Sequence, residues 1–261
     1  MLGGFLDTFE LRGSPGAQST RRYLRSFDPP GRAVTIPWRD EADLRGYYLP
    51  AGGSDTKAAP AVVCIGETHS KDTLLAVMAA PARARGLALL CVDLSLAGAA
   101  PAPRGSVRLE SCVSAIIDDL AERPGIDPTR IAVVADGSPS SLVARGVAMD
   151  GRVAAAVCDG GLWELWADAH GASSGCCAAL PPMPIAAMIR CPTLVALRRD
   201  GGIDPAHARR LLAGRPGSHR SDFVVADCAG ADAEMAPETI LGWVGRRLSR
   251  QRGRPAAISI D

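Results

Sequence analysis

The sequence predicts a single α/β domain in which helices cover both faces of a mostly parallel sheet. Its 261 residues are enough to bury one full core, and short apolar runs alternate with helix-length segments along most of the chain. Such alternation is typical of strands that pair in parallel through helical crossovers. The domain is predicted over residues 32–250, with an N-terminal arm over 1–31, a lid segment at about 160–188 and a C-terminal tail over 251–261.

The first predicted elements are a short helix and a β-hairpin. The arm shows weak patterning apart from a helix over Ser19–Phe27, which ends before Pro29-Pro30 because proline cannot continue a helix. Ala33–Pro37 and Leu44–Tyr48 then predict two antiparallel strands joined by a turn.

The rest of the chain alternates buried strands with helices. Short apolar runs predict six further strands: Ala61–Ile65, Leu87–Val92, Ile131–Val134, Val153–Val157, Thr193–Leu197 and Phe223–Val225. Helical spacing predicts Asp72–Arg85, Val107–Arg123, a helix from the turn ADGSPSS to about Met149, Pro205–Ala213 and Pro237–Arg250. Since ligands bind at the carboxyl ends of parallel strands, the loops after Ile65, Val134 and Leu197 form the predicted site. These three residues are expected to end neighbouring core strands.

Composition and charge indicate which classes of partner the protein is expected to bind. A net charge of +1 creates no broad field that attracts nucleic acid or anionic lipid. No segment approaches the roughly 20 apolar residues that span a bilayer, and Asp7 and Glu10 stand where a signal peptide needs a positive start and a longer apolar run. We therefore expect a cytoplasmic protein that binds a small molecule and neither nucleic acid nor membrane. No cofactor is implied, and a homodimer is one of the assembly states left open.

The eight cysteines contain no C-x-x-C pair. Four of them lie in apolar runs or a helical pattern and are predicted to be buried reduced thiols, as in cytoplasmic proteins: Cys64, Cys91, Cys112 and Cys158. Cys176 and Cys177 stand side by side in the loop-like GASSGCCAALPP. No histidine lies within helical reach of them, so exposed or half-buried thiols are predicted there rather than a metal site.

Four segments share their order and spacing with one known family: ARGLALLCVDLSLAG, IDPTRIAVVADGSPSS, CPTLVALRRDGGIDPAHARRL and ETILGWVGRRL. They cover most of residues 60–250 and resemble α/β-hydrolases, in particular the dienelactone-hydrolase and dipeptidyl-peptidase-like branch that includes carbon–carbon-bond hydrolases. The resemblance implies an α/β-hydrolase-like fold in which these segments are a core strand and loop, the strand before the nucleophile, the acid-bearing strand and the last helix. Function does not follow from the fold.

The resemblance places the nucleophile within ADGSP, residues 135–139. In the family the strand-to-helix turn needs small residues two before and two after the nucleophile. The register of the resemblance puts the nucleophile position on Gly137, a residue with no side chain to attack with. Ser138 lies one residue after the nucleophile position, and it is interpreted as the cap of the next helix. Asp136 is one residue early; it resembles the aspartate nucleophile of dehalogenase-like relatives, although a turn or capping role is favoured because those relatives also need a histidine.

The family's acid and base positions also lack their usual residues. They fall on Gly201 and on Ala231, and no histidine follows His219. Asp200 and Asp232 lie beside these positions, and solvated loop carboxylates are their default interpretation. Because an unactivated serine is a poor nucleophile at neutral pH, ordinary serine hydrolysis is disfavoured.

The loop GETHSKD, residues 66–72, is the most informative remaining segment. In the family it supplies a backbone N–H to the oxyanion hole, here at about Glu67, and the residue after the nucleophile, here Ser138, supplies another. Glu67 and His69 are the best candidates for proton transfer, because histidine titrates near neutrality and a partly buried glutamate can be tuned upward. The alternative is that Glu67 caps the next helix and His69 is solvated.

Three aromatic or titratable residues fall in the predicted lid. Trp163 and Trp166 have helical spacing, and His170 follows them. They are candidates for lining the substrate pocket, although a packed lid helix explains the tryptophans equally well.

Two classes of function fit these residues. The first is a non-hydrolytic enzyme that abstracts a proton next to a carbonyl and then eliminates or rearranges. The resemblance extends to α/β-hydrolase-like proteins of polyketide pathways, including those that eliminate acetate from acetylated tetronates. The second is a non-catalytic binding protein, which complete loss of the triad would also produce. An esterase that uses Ser138 ranks last.

Overall fold

The computed structural model describes residues 17–39, 42–53, 58–66, 70–93, 111–136, 139–159, 188–198, 224–228 and 236–250. Eight strands form one sheet in the order β1-β2-β4-β3-β5-β6-β7-β8. They are β1 (Arg32–Arg39), β2 (Ala42–Leu49), β3 (Ala59–Gly66), β4 (Ala88–Asp93), β5 (Ile126–Asp136), β6 (Val153–Asp159), β7 (Thr193–Arg198) and β8 (Val224–Cys228). The hairpin of β1 and β2 is antiparallel, β2 is antiparallel to β4, and all pairs from β4 to β8 are parallel. The predicted mostly parallel sheet is confirmed.

Helices cover both faces of this sheet. The described helices are α1 (Ala17–Arg25), α2 (Lys71–Arg83), α3 (Ser111–Ala121), α4 (Pro139–Met149) and α5 (Pro237–Arg250). Side chains alternate across β3, as the pleat of a strand requires: Val63 and Ile65 join the core under α3 and α4, whereas Val62 and Cys64 join the core under α1, α2 and α5. Burial on both faces explains why the central strands are continuous apolar runs.

The strands extend further than their apolar runs. β3, β5 and β7 end at Gly66, Asp136 and Arg198, one or two residues beyond the predicted ends. The prediction that Ala135 and Asp136 belong to the turn is wrong, because Asp136 pairs with strands on both sides. An apolar run shows only which residues are buried. Backbone hydrogen bonding between strands continues past that run to the polar residues at the edge of the sheet.

The three predicted site loops begin at one edge, although not on three successive strands. β3 and β5 are neighbours, whereas β6 lies between β5 and β7. Because all of these strands are parallel, their carboxyl ends share an edge. The expected common edge is therefore confirmed, with β7 one strand further away than predicted.

The predictions for the N-terminal arm, for the buried cysteines and for membrane-spanning helices can be compared with the described residues. Leu24 on α1 is 1% exposed, so the one described helix of the predicted arm packs against the core. The four thiols predicted to be buried are buried and are not part of disulfide bonds. None of the helices that the structure describes combines the length and hydropathy of a membrane span. The helix over 205–213, the lid at about 160–188, the paired cysteines 176–177 and the tail lie outside the described residues, and the domain boundaries stay a prediction.

Candidate active site

The carboxyl ends of β3 and β5 bring two predicted site loops together. Gly66 and Asp136, the last residues of these strands, are Cα partners in the parallel ladder. Three residues separate Gly66 from Ser70, where the chain is described again, and two residues separate Asp136 from the start of α4. The two segments that the resemblance assigns to the oxyanion hole therefore leave the sheet from paired positions.

Most predicted site residues lie outside the described part of the chain: Glu67, His69, Gly137, Ser138, Trp163, Trp166, His170, Asp200, Gly201, Ala231 and Asp232. Asp136 is placed as the last residue of β5. The roles assigned to all of these residues stay predictions. The structure shows instead which contacts fix the described residues that precede and follow them.

The start of α2 fixes one end of the loop that contains Glu67 and His69. Ser70 is the N-cap, with an extended backbone, and its Oγ accepts a hydrogen bond from the backbone N–H of Thr73 at 3.3 Å. A serine at this position satisfies one of the amides that a helix start leaves unpaired. Ser70 therefore occupies the N-cap position of α2, and the role of Glu67 stays a prediction.

α4 begins with a proline three residues along the chain from the last residue of β5. Pro139 is its first residue, and proline suits the first helical position because its fixed φ fits and no N–H is needed there. Ser138 thus directly precedes the helix, which is compatible with the capping role predicted for it.

Asp93, which sequence analysis did not single out, ties the start of α2 to the sheet. It ends β4 and is the Cα partner of Gly66. Its Oδ1 accepts a hydrogen bond from the backbone N–H of Lys71, and its Oδ2 lies 2.6 Å from Lys71 Nζ. The side chains of Lys71 and Asp93 are 21% and 15% exposed, so solvent screens this ion pair only partly.

A second carboxylate joins α2 to α1 and β2. Asp72 Oδ1 accepts hydrogen bonds from Thr20 Oγ1 at 2.6 Å and from the Tyr47 hydroxyl at 3.3 Å. Burial of the Tyr47 phenol, together with the nearby charge of Asp72, raises the pKa of Tyr47 to about 12. Tyr47 therefore stays a neutral hydrogen-bond donor at physiological pH.

The charges at this helix start balance one another. The carboxylates of Asp72 and Asp93 face the partial positive charge of the α2 N-terminus, which favours anions. The Lys71 ammonium neutralises Asp93 and also lies 5.7 Å from the centroid of the Tyr47 ring, within cation–π range. The residues on both sides of the segment 67–69 are thus fixed: strand pairing holds Gly66, and hydrogen bonds to Asp93 hold Lys71.

Two sequence signals could have indicated this cluster. Lys71 is one of only two lysines in a chain whose lysines and arginines number 29, and Asp93 directly follows a buried apolar run at the edge where the site loops begin. Within the described residues, no group of three His, Cys, Asp or Glu side chains could hold a metal ion.

No protein-family model and no curated protein sequence matches this chain. Solved structures do. A 2,6-dihydroxy-pseudo-oxynicotine hydrolase superposes with a TM-score of 0.66 at 18% identity, over 92% of this chain and 74% of that one. The α/β-hydrolase GrgF from Penicillium sp. sh18 gives 0.57 at 16% identity, over 84% and 99%. An esterase from Pyrobaculum calidifontis gives 0.56 at 18% identity, over 88% and 90%.

The protein is therefore an α/β-hydrolase-fold protein, as the sequence resemblance predicted. Identities of 18% or less show the shared fold and carry no activity across.

The described elements bracket the segment in which the resemblance places the catalytic histidine. β8 ends at Cys228 and α5 begins at Pro237. The intervening residues, 229–236, read AGADAEMA and contain no histidine. A shift of the sequence alignment by one or two residues within this segment cannot supply the missing base.

Proposed function

We propose that the protein is an enzyme that carries out a base-assisted elimination or rearrangement of a small metabolite containing a carbonyl or ester group. One observation carries the proposal: the β3 and β5 ends that precede both oxyanion segments are paired at Gly66 and Asp136, whereas the segment between β8 and α5 has no histidine. We infer that the anion-binding half is kept without a hydrolytic base, and this combination favours chemistry that stabilises an enolate.

In the proposed reaction, a base of the 67–69 segment removes the proton next to the substrate carbonyl. The electron pair moves onto the carbonyl oxygen, where backbone N–H groups near Glu67 and at Ser138 would stabilise the enolate. When the carbonyl re-forms, the carbon–carbon double bond forms and the bond from the β-carbon to the leaving group breaks. Glu67 and His69 are the proposed bases; because Ser70 caps α2, Glu67 is not required for that purpose.

The substrate class that we propose is a polyketide-type metabolite such as an acetylated tetronate, which would lose acetate. This finer proposal is supported by the sequence resemblance to α/β-hydrolase-like proteins of such pathways. It is separable from the mechanism, since any β-acyloxy carbonyl compound offers the same acidic proton and leaving group.

A second candidate is an esterase that uses Ser138. The observation that favours it is the two-residue segment between β5 and α4, in which Ser138 is the residue with a nucleophilic side chain. The two reactions differ in the bond that breaks. Hydrolysis adds an oxygen from water to the released acetate, whereas elimination breaks the alkyl–oxygen bond and leaves both acetate oxygens unchanged.

The test uses a β-acetoxy ketone or an acetylated tetronate in water labelled with oxygen-18. Unlabelled acetate together with the unsaturated ketone supports elimination; labelled acetate together with the alcohol supports the esterase and contradicts our proposal. Glu67→Gln and His69→Ala should include at least one folded variant that loses about 100- to 10,000-fold in turnover, the typical contribution of a general base. Ser138→Ala should cost much less, since its amide remains.

If both loop variants keep full activity while Asp232→Asn or Asp200→Asn abolishes it, the base lies on the other side of the site edge. Circular dichroism of each variant separates a lost base from a lost fold.

A further inference from the structure

We propose a second binding site, for a phosphate-bearing small molecule, at the edge of the sheet where the parallel strands begin. A cleft of about 920 Å³ opens there. It is lined by the first residues of β3 and β5, by the turn between α2 and β4, and by one face of α5. This edge is opposite to the candidate active site, and the proposal does not depend on the proposed reaction.

One wall of the cleft is a face of α5 on which two of the residues are glycines. Gly242, Gly245, Arg246 and Ser249 of α5 all line it, and their spacing of three and four residues puts them on one side of the helix. The two glycines let Arg85, from the turn after α2, lie across this face: its Cδ is 3.9 Å from the point where a Gly245 Cβ would sit.

Arg85 is held in position by backbone carbonyls. Its Nη1 donates to the Pro81 carbonyl at 2.8 Å and its Nη2 donates to the Glu238 carbonyl at 3.1 Å. These acceptors fix the guanidinium group but do not neutralise it. Within the described part of the chain, no carboxylate pairs with Arg85 or with the exposed Arg246.

The two guanidinium groups converge on one point. The position of a Gly242 Cβ is 3.6 Å from Arg246 Nη1 and 3.8 Å from Arg85 Nη2. Both guanidinium groups therefore reach the same region of the cleft, where one bound anion can interact with the two positive charges. Because each guanidinium group offers several N–H donors in a plane, the pair is suited to the oxygens of a phosphate group.

The remaining lining residues do not oppose an anion. A third arginine, Arg130, is 5% exposed and is already engaged by Asp127 at 2.6 Å and by the Ala58 carbonyl at 2.7 Å. None of the described lining residues is Asp or Glu. The cleft volume of about 920 Å³ falls within the range of about 300–1,000 Å³ usual for small-molecule sites, so it has room for an organic phosphate as well as for the free ion.

The experiment measures the melting temperature of the full chain in sodium phosphate and in sodium chloride at equal ionic strength. A specific site raises the melting temperature saturably with phosphate, because ligand that binds only the folded state stabilises it. Arg246→Ala should weaken the phosphate response by roughly tenfold in apparent affinity, and Arg85→Lys should weaken it too, because lysine keeps the charge but loses the planar fork.

Two further variants make the test decisive. Gly242→Ala would place a methyl group at ordinary contact distances from both guanidinium nitrogens, so the helix should fold normally while the space between the charges is filled and phosphate binding falls. Arg22→Ala removes an exposed arginine of α1 that does not line the cleft, and it should respond like the wild type.

Glycerol phosphate and adenosine monophosphate, titrated in parallel, distinguish an organic phosphate from the free ion as the better ligand. A response to phosphate no larger than the response to chloride would overturn the proposal. So would wild-type phosphate affinity in both Arg246→Ala and Gly242→Ala.

Discussion

Replacing Asp93 by asparagine tests how the start of α2 is held. An asparagine still offers an oxygen to the backbone N–H of Lys71 but carries no charge, so the Lys71 ammonium, 21% exposed, loses its counter-ion. Breaking a fully buried pair costs about 3–5 kcal/mol, whereas exposed pairs contribute about 0–1 kcal/mol. For this partly exposed pair we expect an intermediate loss of about 1–3 kcal/mol in the free energy of unfolding.

The assay is urea unfolding of wild type and variant, with the thermal midpoint as a second readout. For a domain of this size, the expected loss lowers the Tm by roughly 3–10 °C. The matched control is Asp118→Asn, since Asp118 Oδ1 pairs with Arg152 Nη1 at the same 2.6 Å but with side chains 60% and 48% exposed. That change should stay within about 0.5 kcal/mol.

A double-mutant cycle with Lys71→Met isolates the pair from the rest of the cluster. If Lys71 and Asp93 interact as the structure shows, their coupling energy should be about 1 kcal/mol or more, within the range for residues in direct contact. Equal stability losses in Asp93→Asn and Asp118→Asn, together with a coupling energy near zero, would refute the reasoning that Asp93 anchors the loop.

Three other predictions test separate parts of the molecule. Serine-directed fluorophosphonate probes should leave the chain unlabelled, because no base activates Ser138; stoichiometric labelling mapped to Ser138 would restore the hydrolase interpretation. Leu24→Ala should cost about 2–4 kcal/mol in urea unfolding, because Leu24 is 1% exposed; a cost below half of this would mean that α1 is only loosely attached. Burial alone would raise the pKa of Asp150, but hydrogen bonds from Arg152 outweigh burial and hold the pKa below its usual 3.8. A lowered folded-state pKa contributes stability above the unfolded-state pKa that is lost as pH falls, so Asp150→Asn should flatten the stability decline below about pH 4; an unchanged acid slope would contradict this.

The sequence predicted the layers of this fold better than it predicted element ends. Apolar runs such as residues 61–65 and 131–134 located the central strands, because strands buried on both faces must be continuously apolar. The same signal could not show that β5 continues to Asp136, since pairing with Gly66 and Asp159 depends on neighbouring strands that are distant in sequence. For the same reason it could not show that β6 separates β5 from β7.

The candidate site was predictable in its position and only partly in its residues. Strand–helix alternation alone indicated the edge at which the loops after β3 and β5 begin. The rarity of lysine and the position of Asp93 after an apolar run could have indicated these two residues, but the sequence could not show that they form an ion pair, because they are 22 residues apart. The capping role of Ser70 could have been predicted, because serine is a favoured N-cap residue and it directly precedes α2.

The family's oxyanion positions and its acid and base positions are built on different strands of the sheet. The oxyanion segments follow β3 and β5, which are central, buried and paired on both sides. The family positions of acid and base follow β7 and β8, beyond β6 and towards the end of the sheet. The packing under β3 and β5 and the ion pair of Lys71 and Asp93 are made by residues of the described core and of α2 and β4. The proposed elimination requires the oxyanion positions after β3 and β5, and it does not require the family's nucleophile, acid or base residues.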